Sequence, residues 1–213
     1  MADYDRLRNE ELASISEFLH GLSDDQWDQA SLCAGWRVRD VVSHMTVGYM
    51  TPMLTMMGKV ARYGFNVPKA SAKESVTYGS DHTPAQILTA FDTIVNDHVR
   101  KGISRVIPAK EGLVDHIVHQ QDARRPLGLP RQIPEERLAA ALGVAPSIGG
   151  FVGAKKRAKG LRFTATDINW THGDGPEVRG TGEAILLALT GRPVVLDELE
   201  GDGLATLRPR VAA

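Results

Sequence analysis

The chain has 213 residues, enough for one large domain or for one medium and one small. Its 25 basic residues nearly balance 26 acidic ones for a net charge of −1, so it lacks the basic excess of a protein that binds nucleic acid or an acidic membrane. A hydrophobic fraction of 42% with 24% charged residues fits a soluble globular protein, and a single cysteine excludes an internal disulfide framework and suits a reducing, cytoplasmic setting.

The opening MADYDRLRNEELASI is charged and amphipathic, unlike an apolar signal core, and no run reaches membrane-spanning length. Leu7, Leu12, Ile15, Phe18, Leu19 and Leu22 recur at helical spacing and predict a first helix ending near Gly21. Ser23 with Gln26 is a capping-box pattern that opens a short turn through Trp27. Val38, Val41, Val42 and Met45 give the apolar face of a second helix, which continues through TVGYMTPMLTMMGK and is bent or broken at Pro52. His44 lies on the flank of that face, and Asp40 stands one turn before it.

Residues 62–82 have few spaced apolar positions and read as a loop or irregular crossover. Thr83-Pro84-Ala85-Gln86 is a helix start, with a Thr cap and Pro at the first position. Ile87, Phe91, Ile94, Val95 and Val99 define the third helix, with His98 as a structural residue at its edge. The fourth helix runs from Glu111 to about Asp122 and stops at Arg125-Pro126-Leu127-Gly128. Four helices joined by one long crossover read as a bundle.

The grammar then changes. Pro134 starts a short fifth helix holding Leu138 and Leu142, and APSIGGFVGAKKRAKG reads as a linker. LRFTATDINW has strand character, with a turn at HGDGP and Glu177-Val178-Arg179 as its hairpin partner. A helix follows from Thr181 to Thr190, stopped by Gly191 and Pro193, and then ELEGDGLATL forms a turn and a short strand. The expected fold class is α+β, mainly α: a helix bundle over residues 1–145 and a small α+β unit over 146–213.

The fourth helix carries the chemistry. At about 100° per residue, Asp115, His119 and Asp122 fall within about 60° of one another and border the apolar face of Leu113, Val114, Ile117 and Val118. A carboxylate and an imidazole one turn apart can grip a divalent ion, although such a pair also occurs as a surface Asp beside a core-edge histidine. Bundles form metal sites from side chains that project inward from different helices, so His44 is expected to meet Asp115 and His119. His116 points about 100° away on an ideal helix and is a poor substitute.

Several residues around these have two readings. Asp122 is placed to orient His119, and Asp40 to orient His44; each is otherwise a cap or surface carboxylate. Arg124 and Arg125 suit a substrate carboxylate, but basic residues at a helix C-terminus also answer its dipole; the dipole accounts for Arg124, and Arg125 stays open. Cys33 has no base beside it in the sequence and is not expected to be a nucleophile. The methionines of residues 50–57 read as core filler before the lining of an adaptable apolar pocket.

Both halves together resemble the mycothiol-dependent maleylpyruvate isomerase family of the DinB-like metal-binding four-helix-bundle superfamily. The resemblance spans nearly the whole chain and rests on Trp27, then Ser31-Leu32-Cys33-Ala34-Gly35-Trp36, Val38-Arg39-Asp40 and His44. It continues through Asp115, His119, Asp122, Arg125, Leu127 and Gly128, and into GLRFTATDINWTHGDGPEVRGTGEAILLALTGR. It implies a DinB-like bundle whose metal ligands are His44, Asp115 and His119. Asp115 departs from the family pattern, which has Glu there, and its reach is one methylene shorter.

The resemblance also implies a divalent metal and mycothiol as thiol cosubstrate. Two imidazoles and a carboxylate leave open coordination positions and suit zinc first, with nickel or another first-row ion fitting the same donors. The implied function is isomerisation or S-transfer on a small electrophile; beside it, the residues' own chemistry puts Asp122 and Arg125 in catalytic roles, and the charge balance points to no nucleic-acid or membrane partner. Two other readings stand beside it. One is a non-enzymatic small-ligand or lipid-binding protein, because the C-terminal unit faintly resembles sterol-carrier-like domains; the other is a bundle with a structural or vestigial metal site.

Overall fold

The computed structural model describes residues 2–98, 100 and 102–212. The chain divides into two compact units, Asp5–Pro130 and Arg131–Ala213 (with Met1–Tyr4). It is mainly helical, with one small sheet.

Among the described residues, the first unit holds seven α-helices. Helix α1 (Tyr4–His20) buries Leu7, Leu12, Ile15, Phe18 and Leu19 along one face, as its spacing requires. The short α2 (Asp24–Trp27) opens with the Ser23–Gln26 capping box. Helix α3 (Val38–Met50) starts at a second box, in which Asp40 accepts the Arg37 backbone N–H at 2.9 Å. Pro52 breaks the chain between α3 and α4 (Met53–Arg62).

Helix α5 (Val67–Asp81) occupies most of the stretch expected to be a loop. Asn66 caps it by accepting from the Lys69 N–H, and Pro68 sits in its first turn. It packs along α3 through Ala70, Ser75 and Gly79, three small residues. A Cβ on Gly79 would collide with the Asp40 carboxylate and stand 3.2 Å from Ser43 Oγ. The two helices therefore meet almost backbone to backbone, and α5 shows no stripe of large apolar residues because the contact has no room for one.

Helix α6 (Pro84–Asp97) begins at the Thr83–Gln86 box. His98 caps its end with φ of 48°, while Val99 lies outside the described residues. Helix α7 (Ala109–Arg124) is buried nearly all round, including the polar His116, Gln120, Gln121 and Asp122. The core of this unit joins Leu12, Ile15, Phe18, Trp27, Val42, Met45, Ile87 and Phe91.

In the second unit, α8 (Glu135–Val144) packs Leu138 and Leu142 on Gly182, so the short fifth helix belongs with the α+β residues and the compact-unit division falls between Pro130 and Arg131. The expected linker contains α9 (Ala154–Ala158). Strand β1 (Arg162–Ala165) pairs antiparallel with β2 (Thr171–His172) and parallel with β3 (Glu177–Gly180), in the order β2-β1-β3. The hairpin partner is thus the short β2 segment, not residues 177–179. Gly173 and Gly175, at φ of 77° and 128°, press on the carbonyls of Leu161 and Gly160, where a Cβ would collide. This lets the chain cross tightly back to the far edge of β1.

Helix α10 (Gly182–Leu189) is apolar after Glu183 in its first turn, and Ala184 through Leu189 are wholly buried. The C-terminal stretch forms a 3-10 turn (Pro193–Glu198) and α11 (Leu204–Val211), and the expected short strand is reduced to one bridge between Arg179 and Glu200. Among the described residues no helix is long and apolar enough to cross a membrane.

Candidate metal centre

His44 projects from the middle of α3, and Asp115 and His119 project from successive turns of α7. One ligand atom from each of the three lies within 4.8 Å of the others. The two imidazoles meet edge to face, with ring centroids 4.9 Å apart, and His119 Nε2 stands 3.5 Å from Asp115 Oδ1. The Asp115 side chain keeps 47% of its surface exposed, so the donor set opens to solvent and is not sealed in the core.

The other ring nitrogens are engaged. The hydroxyls of Ser71 and Ser75, both on α5, stand 3.1 and 3.4 Å from His44 Nδ1. His119 Nδ1 lies 2.8 Å from Oδ2 of Asp122, which is wholly buried. With Nδ1 held in each ring, Nε2 is the atom left to turn toward a shared ligand.

Electrostatics bind the cluster together. Against the desolvation imposed by its protein surroundings, the charge and hydrogen bond of His119, with the charges of His44 and His116, hold the half-exposed Asp115 carboxyl well below the usual carboxylate range. Burial opposes charge on His119, yet Asp115's charge and hydrogen bonds with Asp115, Asp122 and Cys33 lift it well above the ordinary imidazole value. His116 behaves oppositely: burial pushes it down to about 4, and its ring lies 5.6 Å from that of Tyr49. It belongs to the packed side of α7, away from the donor set.

The donor chemistry fits a divalent cation. Imidazole nitrogen and carboxylate oxygen suit first-row ions, and the ionised Asp115 supplies negative charge. Residues 8–101 match the family model described as the mycothiol maleylpyruvate isomerase N-terminal domain. These residues, a little under half of the chain, are similar to that domain.

Two solved structures share the fold: a mycothiol-dependent maleylpyruvate isomerase and a variant of it with a histidine replaced by alanine. Each gives a TM-score of 0.63 at 17% identity, covering 94% of this chain and 92% of the other. No curated protein matches the chain by sequence. The family match contains His44, while Asp115 and His119 lie beyond its end.

Within the first unit, the remaining candidates have distinct places. Asp40 accepts from Arg37 backbone and guanidinium, so it is a cap of α3 and not the partner of His44. Arg124 lies over the Phe18 ring at 4.1 Å and donates to the Leu129 carbonyl, which is a structural role. Arg125 is half-buried at the C-cap of α7, about 9 Å along an ideal helix axis from His119.

Three features lay outside the sequence reading. Ser71 and Ser75 fell in the expected loop. The Trp36 ring stands 5.5 Å from that of His44. Cys33 does have a carboxylate beside it, since its thiol donates to Asp122 Oδ2 at 3.2 Å across 89 residues of chain. No local spacing could have announced that contact.

Proposed function

We propose that the chain is a metal-dependent enzyme that uses a low-molecular-weight thiol of the mycothiol kind for isomerisation or S-transfer on a small electrophile. The observation that carries this reading is the convergence of His44, Asp115 and His119 from two helices of the first unit, whose residues 8–101 match the isomerase family's N-terminal domain. These three residues would hold the ion, zinc by first preference. When bound, such an ion lowers the pKa of a coordinated thiol and so makes a thiolate available at neutral pH.

The chain's own groups do the positioning. Asp122 accepts at His119 Nδ1 and fixes the tautomer that leaves Nε2 free; the Ser71 and Ser75 hydroxyls serve His44 in the same way. Asp115 supplies charge at the open side of the cluster. Arg125 is assigned to a substrate carboxylate, for which a guanidinium fork is suited. Isomerisation and S-transfer share a first thiol addition to an electrophilic carbon, so this reading embraces both.

The test begins with elemental analysis of protein purified without a metal-affinity tag. Turnover is then measured with mycothiol and a panel of cis-enedioates and alkyl halides, scoring isomer and thioether separately. Consumption of an electrophile only when ion and thiol are both present supports the proposal. Thiol-independent turnover points to metal-assisted hydrolysis, and a metal-free protein that cannot be loaded points to a vestigial site.

A further inference from the structure

Asp122 is met at both its carbonyl and its carboxylate by the segment Ser31–Trp36. In an unbroken helix its carbonyl would accept from the residue four places on, but that residue is Pro126, which has no N–H. The Leu32 N–H takes the vacated place at 2.9 Å. This docks the turn on α7 and delivers the Cys33 thiol, one residue further, to Asp122 Oδ2, the same oxygen that meets His119. The turn is itself braced: Ser31 N–H donates to the Trp36 carbonyl, and Trp36 N–H to the Cys33 carbonyl, each at 2.9 Å.

We infer that Cys33 is a positioning residue of the metal centre, its S–H anchoring the Asp122 carboxylate so that His119 presents Nε2 to the ion. The inference rests on the metal reading above and gives the cysteine a role other than nucleophile. A carboxylate oxygen accepts more than one hydrogen bond, and each donor on it narrows the carboxylate's orientation. His119 and Cys33 both meet Oδ2. Loss of the thiol removes one of the donors on that oxygen and loosens the imidazole that the oxygen orients.

Cys33→Ala and Cys33→Ser separate this role from packing, because the two side chains have nearly the same volume and differ in one donor group. Zinc affinity is measured by chelator competition. Cys33→Ala is expected to bind zinc about tenfold more weakly, the low end for loss of a ligand's outer partner, and Cys33→Ser to recover most of that loss. In parallel, 15N NMR of the imidazoles follows the His119 Nδ1–H in metal-free protein, which should exchange faster in Cys33→Ala than in wild type or Cys33→Ser. Equal affinities in wild type and Cys33→Ala, or a serine variant as weak as the alanine variant, overturn the inference. If the wild-type protein binds no zinc, the metal reading fails alone, and the exchange of His119 Nδ1–H still decides whether the thiol orders Asp122 and His119.

Discussion

His119 faces in two directions, Nε2 toward Asp115 and His44 and Nδ1 toward Asp122, and replacing it should be costly on both sides. His119→Ala is expected to abolish stoichiometric metal binding, read by elemental analysis after dialysis; unchanged stoichiometry would mean that other residues hold the ion. Asp115→Glu restores the longer reach implied by the family pattern and should retain the ion, while Asp115→Ala should weaken it by about a hundredfold. The sign of the pH response follows from His119. Its pKa in the metal-free protein is raised well above 6.5, so a proton occupies the ring through neutral pH and must leave before an ion can bind. Metal affinity should therefore rise by about tenfold per pH unit until that pKa is passed, because one proton is displaced per ion. A titration between pH 6 and pH 8 that shows no slope would contradict the assignment of His119 as a ligand.

At the scale of elements, the decisive contact is α3 against α5, because it brings Ser71 and Ser75 to His44 and depends on Gly79. Gly79→Leu should force the helices apart at a cost of about 1–3 kcal/mol, and about 2–4 °C of melting temperature for each kcal/mol in a chain of this size. Metal affinity should fall with it, since the hydroxyls retreat from Nδ1. A Leu variant with wild-type melting and wild-type affinity would show the contact to be looser than it looks. The same contact explains what the sequence could and could not reveal. Helices α1, α3, α6 and α7 were legible because Leu, Ile, Val and Phe recur on one side of each, and because Thr83 and Gln86 mark a start. Helix α5 was not, since Ala70, Ser75 and Gly79 bury backbone and leave no apolar period. The parallel pairing of β3 was hidden for another reason: a strand pattern fixes which side chains face inward, not which edge the strand joins. At the site, Asp115, His119 and Asp122 could be read from helical spacing, whereas Cys33 reaches Asp122 only through the tertiary fold.

For the molecule as a whole, an ion shared by α3 and α7 would tie two helices of the first unit and should stabilise that unit alone. At a free concentration of a hundred times Kd the gain is about 2.7 kcal/mol. Calorimetry with and without a chelator should show a transition for Asp5–Pro130 that moves with metal, while the melting of the second unit stays where it was. A shift common to both transitions would mean that the units unfold together. The three tryptophans divide the labour of observation in a useful way. Trp27 is buried in the core, Trp170 belongs to the sheet region of the second unit, and Trp36 stands beside His44. An ion with unpaired d electrons at His44 would quench the nearest indole most strongly, so nickel or cobalt should dim Trp36 emission in proportion to loading and leave Trp36→Phe protein almost unaffected. The site thus carries its own optical gauge, and occupancy can be followed in solution before any substrate is known.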